Sequence, residues 1–258
     1  MSVFTRAIVR PPSANFSAGL TTANLGMPDY ATALRQHSDY CDALRSCGLT
    51  VITLPVDDQF PDSTFLEDNA ILAGCCAAIT RSGAQTRRGE EIAIEMALRE
   101  WFDDVAHIEA PGTVDGGDIC EAGNHFFIGI SKRTNEAGAR QLAQILQEHN
   151  YSSEFVDVRH VNSILHLKSG VAYLGDNRLV VIDELAGRPQ FRRYELVVVD
   201  KDEEYAANCV RVNDTVLIAA GFPLFAQRLS QLGYSTLSLN MSEFEKMDGG
   251  LSCLSLRF

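Results

Sequence analysis

The chain has 258 residues, 46% of them hydrophobic and 22% charged, proportions that allow a sizeable buried core. Its 22 Lys and Arg stand against 34 Asp and Glu, a net charge of −12. That balance argues against a nucleic-acid reader, which needs clustered cations, and towards a neutral or cationic small-molecule partner. No apolar run approaches the ~20 residues that cross a bilayer, and the opening MSVFTRAIVR lacks the apolar core of a secretory signal. Seven cysteines, with Cys75 and Cys76 adjacent and no CxxC pair, suggest neither a disulfide framework nor a thiolate zinc site. A reduced, cytoplasmic protein is expected, with most thiols serving as small buried apolar groups.

In chain order, Val3–Arg10 is apolar enough for a strand. Residues 29–46 place Tyr30, Leu34, His37, Cys41 and Leu44 on one helical face, after Pro28 and before Gly48. The continuous apolar runs Ala70–Ala73 and Ala77–Thr80 predict strands joined at Gly74-Cys75. A helix over 90–102 would bury Ile94, Ala97, Leu98 and Trp101. Phe126–Ile130 follows as a strand after the turn Gly123-Asn124, and a helix over 135–149 is capped by Thr134 or Asn135. Val171–Leu174 and Leu179–Ile182 flank Gly175-Asp176-Asn177, a strong hairpin signal. Leu196–Val199 and Val216–Ala219, the latter after Asn213-Asp214, are further strands, and Pro223 opens a short helix that Gly233 closes.

These elements repeat. Five polar or glycine-rich segments each lead into a hairpin, and usually on into a helix and a further strand: Glu67-Asp68-Asn69, Asp115-Gly116-Gly117-Asp118, Leu165-His166-Leu167-Lys168, Ala207-Asn208-Cys209 and Asp248-Gly249-Gly250. Their starts fall between 40 and 51 positions apart. Five such units fill residues 1–258 with no linker, so one catalytic domain is expected, and the last unit lacks a strand that Val3–Arg10 could supply. A period of this length indicates a closed radial array; an α/β domain with accidental spacing is the alternative.

In a closed array the unit starts converge, gathering Asp68, Asp115, His166, Asn208 and Cys253. Cys253 follows two glycines near the end of the chain, where a thiol makes a poor core filler. It is the candidate nucleophile, while the other six cysteines lie on apolar stripes or beside strands. His166, on a strand-like alternation, is as a lone residue better explained as a structural histidine. With a distant cysteine it completes the minimum set for thiol catalysis. Acids at Asp62, Glu67, Asp68, Asp115 and Asp118 would oppose one another's ionisation unless a cation joined them. A planar guanidinium, whose N–H donors match carboxylates in pairs, resolves that conflict. A solvated acidic loop and a divalent-metal site are the competing readings, and no HxxxH or HxxE spacing supports the metal.

Eight blocks then resemble the dimethylarginine dimethylaminohydrolase family of the guanidino-group modifying amidinotransferase superfamily. They are LGMPDY (25–30), FPDSTFLED (60–68), RRGE (87–90), GTVDGGDI (112–119), SKRTN (131–135), LHLKS (165–169), YAANC (205–209) and EKMDGGLSC (245–253). The resemblance implies a pentein, a five-bladed pseudo-fivefold α/β propeller of ββαβ units. It implies hydrolysis of Nω-methylated arginines to citrulline and dimethylamine or methylamine, with no cofactor and no metal. It further implies Cys253 as nucleophile, His166 as general acid and base, and Asp115 beside that histidine and the guanidinium. Asp62, Glu67 and Asp68 would hold the substrate, Arg87 and Arg133 would receive its carboxylate end, and Leu20 and Met247 would touch it through backbone. Some relatives carry glutamate where this chain has the shorter Asp115. Unmethylated arginine, citrulline or another ureido compound stay open as substrates, as does a non-catalytic guanidino binder. A small cationic guanidino compound is the expected partner, with no nucleic acid or membrane, and a homodimer is left open.

Overall fold

A computed structural model describes residues 3–258. The chain runs through β1 (Arg6–Val9), α1 (Tyr30–Ser46), β2 (Thr50–Thr53), β3 (Ala70–Ala73), β4 (Cys76–Ile79), α2 (Glu90–Leu98), β5 (Asp104–His107), β6 (Ile119–Glu121), β7 (His125–Ile130), α3 (Glu136–Glu148) and β8 (Ser152–Asp157). It continues through α4 (Leu167–Gly170), β9 (Val171–Gly175), β10 (Arg178–Ile182), α5 (Asp183–Ala186), β11 (Glu195–Val199), β12 (Val210–Val212), β13 (Thr215–Ala219), α6 (Pro223–Gln231), β14 (Ser235–Leu239), α7 (Ser242–Glu245) and β15 (Ser255–Arg257). Among the described residues the strands form five sheets of three, each an antiparallel pair extended by a parallel third strand; four of the pairs are hairpins and the fifth joins β1 to β15. The parallel strand returns through helical chain in every case, which is the ββαβ unit that the repeat predicts.

The chain divides into two compact units, Leu66–Ser169 and the segments on either side of it. The contiguous unit holds the sheets β3-β4-β5 and β6-β7-β8. Its core joins Ile71, Ala73 and Ala78 to Phe126, Ile128, Leu142 and Leu146, so α3 turns Leu142 and Leu146 inward. Asn135 caps α3 by accepting from the Gly138 N–H at 2.8 Å. Helix α2 is shorter than the period suggests. The chain turns after Leu98, and Phe102 is buried where Trp101 was expected, Trp101 being 43% exposed.

The other unit holds β15-β1-β2, β11-β10-β9 and β12-β13-β14. Here β1 pairs antiparallel with β15, Ile8 opposite Leu256, and parallel with β2. The expected closing strand Val3–Arg10 is therefore present as Arg6–Val9. Asp29 caps α1 through the Thr32 N–H at 2.7 Å, and the Tyr40 hydroxyl of α1 meets the Ser255 hydroxyl at 2.7 Å in the interior. Phe16, Phe65 and Phe244 cluster with ring centroids 5.6–6.3 Å apart. A Cβ on Gly249 would fall inside the Phe65 ring, which explains a glycine at the start of the turn that carries Cys253.

Candidate active site

Each sequence-repeat start lies at or beside a short helical segment ahead of its sheet, and these segments carry the candidate groups. In the contiguous unit the turns Leu66–Asn69 and Gly116–Asp118 and the first turn of α4 place Asp68, Asp115 and His166 together. One donor atom from each lies within 4.8 Å of the other two. His166 is not part of a strand, contrary to its alternating neighbours; it immediately precedes α4. The backbone N–H of Leu167 donates to Asp118 Oδ1 at 3.0 Å, and Asp118 Oδ2 accepts from the Ser131 hydroxyl at 2.6 Å. Asp118 thus fixes the turn on which His166 stands.

Asp115 is fully buried, and each oxygen has its own partners. Oδ1 accepts from the Ser82 hydroxyl and the Gly83 N–H, both at 2.9 Å, while Oδ2 faces His166 Nε2 at 3.3 Å and Arg133 Nη1 at 3.4 Å. Asp68 Oδ1 accepts from the Gly117 N–H at 2.9 Å, and Oδ2 pairs with Arg87 Nη1 at 2.5 Å. A Cβ on Gly117 would come 2.7 Å from His166 Nδ1 and 2.9 Å from Asp68 Oδ1, so the Asp-Gly-Gly-Asp turn has glycine there for close approach. Arg87 is buried and also pairs with Glu90 at 2.8 Å. Glu67 pairs with Lys168.

These contacts set the charges. Burial alone would lower the His166 pKa, but Asp68, the hydrogen bond to Asp115 and the charges of Asp118 and Asp115 carry it up to about 9, so the ring is an imidazolium at neutral pH. Burial pushes the Asp115 pKa up, yet the His166 hydrogen bond and charge, with Arg87 and the Gly83 N–H, hold it well below the usual carboxylate range. Asp118 goes the other way, raised by burial. Desolvation disfavours the Arg87 guanidinium, but Glu90 and Asp68 outweigh it and keep the side chain charged. Acids and cations are interleaved here. A divalent ion would have to compete with Arg87 for Asp68 and with His166 and Arg133 for Asp115.

In the other unit, Cys253 lies in the turn Ser252–Leu254, just before β15, and is half-buried. Its N–H donates to the Gly250 carbonyl at 3.2 Å, and the Ser252 N–H donates to Asn208 Oδ1 at 3.0 Å. A Cβ on Gly250 would overlap the Asn208 side chain, and the Tyr205 hydroxyl donates to the Gly249 carbonyl at 2.8 Å. The turn is pinned at three points, so the thiol sits on ordered backbone despite its place near the chain end. Burial by contrast pushes the Cys41 and Cys76 thiols up to about 11, which leaves neither as a ready nucleophile at neutral pH. Asp62 accepts from the Leu20 N–H at 3.1 Å with both oxygens, and Met247 lies beside it against Gly19.

The structure therefore brings Asp68, Asp115, His166, Arg87 and Arg133 together in one unit, with Glu67 on the same turn as Asp68. In the other it brings together Asp62, Leu20 and Met247. Asp118, Ser82, Glu90 and Asn208 complete these arrangements. Of these, Asp118, Glu90 and Asn208 stand within blocks already singled out in the sequence, and only Ser82 had no signal.

The profile of the arginine deiminase family matches residues 53–218. The N(G),N(G)-dimethylarginine dimethylaminohydrolase of Pseudomonas aeruginosa is 44% identical over 257 residues, covering 99% of this chain and all of the relative. The chain belongs to the dimethylarginine dimethylaminohydrolase family. A Streptomyces coelicolor member of the same name is 34% identical over 98% of this chain and 96% of its own. Among solved structures, the Pseudomonas aeruginosa dimethylarginine dimethylaminohydrolase, as a cysteine-to-serine mutant complexed with citrulline, superposes with a TM-score of 0.96 over the whole of both chains. The N-terminal domain of a cyanobacterial arginine dihydrolase, 18% identical, superposes at 0.88 over 99% of this chain and 97% of that one and shares the fold. The fold class is accordingly the five-unit α/β propeller, or pentein, of the dimethylarginine dimethylaminohydrolases. Among the described residues no helix is long and apolar enough to cross a membrane.

Proposed function

We propose that this chain hydrolyses Nω-methylated arginines, asymmetric dimethylarginine and monomethylarginine, to citrulline and dimethylamine or methylamine. Residues 1–258 act as one catalytic domain of a cytoplasmic enzyme that uses no cofactor. Full-length membership of the family supports the activity, and the buried His166–Asp115 pair is the observation that carries the mechanism.

The Cys253 thiolate attacks the guanidinium carbon, breaking the C=N π bond and forming a C–S bond. Asp68 and Asp115 hold the planar cation, whose N–H groups match their carboxylates. His166, an imidazolium at neutral pH, gives its proton to the methylated nitrogen, the C–N bond breaks, and the amine departs. A cationic S-alkyl thiouronium adduct remains on Cys253. Neutral His166 then takes a proton from water, whose hydroxide adds at the same carbon; the C–S bond breaks and the hydroxyl proton passes to solvent, where the departed amine takes one up, releasing citrulline and the thiolate. Asp115 keeps the ring charged between turnovers.

Arg133 receives the substrate's carboxylate. Arg87 has the same assignment, and its pairing with Asp68 and Glu90 makes it also the residue that orients Asp68. Asp62 and Glu67 complete the acidic lining. The N–H groups of Leu20 and Met247 already donate to Asp62 and Phe244, so their contacts to substrate are made through carbonyl oxygens, which suit a cationic donor. Nucleic acid and membranes have no part in this reading, while a homodimer is compatible with it.

Unmethylated arginine is the second reading, favoured by the match to the arginine deiminase profile. Discrimination at methyl scale is worth only ~1–3 kcal/mol. Asymmetric dimethylarginine, arginine and citrulline assayed side by side, reading ureido product, dimethylamine and ammonia, decide the matter. Dimethylamine release with little ammonia from arginine is expected, and the reverse pattern sinks the proposal. Cys253→Ala should abolish turnover while preserving the melting temperature; a near-normal kcat would remove Cys253 from the mechanism.

A further inference from the structure

A second group of ligating side chains lies in the contiguous unit and shares no residue with the Asp68, Asp115 and His166 group. Cys76 is the first residue of β4 and Asp104 the first of β5, and the two are paired in parallel register, so their side chains leave the same face of the sheet. His149 closes the C-terminus of α3, the helix that returns the chain to the neighbouring sheet, and its Nε2 lies 3.3 Å from Asp104 Oδ2. One donor atom from each of Cys76, Asp104 and His149 lies within 4.8 Å of the other two. Ligand atoms around a tetrahedral zinc ion stand about 3.3–3.6 Å apart, given bonds of ~2.0–2.3 Å. The His–Asp separation already meets that spacing, and the thiol needs to close by about an ångström at most. Exposure is graded across the group. Cys76 is buried, while the side chains of His149 and Asp104 are 18% and 55% exposed, so two of the three donors are reachable from solvent.

We propose that Cys76, His149 and Asp104 form a binding site for Zn2+ or a similar borderline-soft divalent ion. Thiolate, imidazole and carboxylate together suit zinc and disfavour the hard cations magnesium and calcium. Binding replaces the Cys76 S–H bond with a metal–sulfur bond and releases that proton to solvent. Water supplies the fourth position. Two ligands come from β3-β4-β5 and one from the helix crossing to β8, so the ion ties the two sheets of this unit together at the edge of their shared core. The site is independent of the guanidine chemistry.

The test uses a full-length Cys253→Ser background, which removes the proposed nucleophile as a source of metal thiolate. Metal-stripped protein is titrated with Co2+, followed by Zn2+. One Co2+ per chain with a sulfur-to-cobalt charge-transfer band is expected, with displacement of that band by Zn2+ and a rise in melting temperature. The Asp68, Asp115 and His166 group contains no sulfur and cannot produce the band. Adding Cys76→Ala should abolish it, and adding His149→Ala or Asp104→Ala should weaken Co2+ binding about tenfold or more. The latter two positions are at the surface and keep the test interpretable if the Cys76 variant folds poorly. No band in the background protein, or unchanged affinity in both surface variants, overturns the proposal.

Discussion

His166 and Asp115 show how a residue's charge is set by its burial and its partners. The histidine pKa stands at about 9 against an ordinary 6.5, on the order of 3 kcal/mol in favour of the ring's charged form in the folded chain. Because the folded value is the higher one, that stabilisation is complete below pH 6.5 and disappears as pH rises through 9. Asp115 has the opposite sign: its folded pKa is depressed, so its contribution is present above the ordinary carboxylate value and is lost in acid. Denaturant midpoints measured from pH 6.5 to above 9 should therefore fall in the parent protein and fall less in His166→Asn. Asp115→Asn removes the hydrogen-bonding carboxylate, so the histidine pKa drops and the alkaline limb of the kcat profile moves to lower pH. An unmoved limb would mean that His166 is not the proton donor. Of the residues in this cluster, the sequence could mark Asp68, Asp115 and His166 by motif. It could not show that Arg87 is held by Asp68, because ion pairing across 19 residues of chain leaves no pattern in composition or period.

At the scale of elements, legibility followed burial. The middle strands β4, β7, β10 and β13 are buried along nearly their whole length and read as apolar runs within a residue or two of their ends. The parallel outer strands β2, β5, β8 and β14 have one face towards solvent, and their mixed composition hid them from a search for continuous apolar segments. The short helical segments ahead of the sheets were missed for another reason. Three or four residues are too few to display a 3.6-residue period. Leu165-His166-Leu167-Lys168 accordingly looks like a strand, although its last two residues begin α4. These short turns depend on close packing, and Gly117→Ala tests that. The added methyl displaces His166 or Asp68, so kcat should fall more than tenfold while circular dichroism stays that of the parent; full activity would show that the turn has room to spare.

For the molecule as a whole, the repeat anticipated five ββαβ units and a strand contributed by the N-terminal segment, both of which are present. Period survives in sequence because each unit must bury the same kind of hairpin. The pairing of β1 with β15 leaves no such local trace, and it was inferred only from a unit that lacked a strand. Leu256 is buried on β15 opposite Ile8, and Leu256→Ala should cost about 2–5 kcal/mol in equilibrium unfolding. A cost within a few tenths of a kcal/mol would show that this pairing contributes little to holding the unit together.

The β1–β15 pairing also imposes an order on how the polypeptide matures. Leu66–Ser169 is contiguous, so every residue of that unit is synthesised before the segment that follows it. The unit around it cannot complete its first sheet until residues 255–257 exist to meet a strand made some 250 residues earlier. Nascent chains would therefore carry His166 and its acids well before the backbone around Cys253 is fastened. An incomplete translation product would lack the proposed nucleophile Cys253, so unfinished chains would carry no hydrolytic activity.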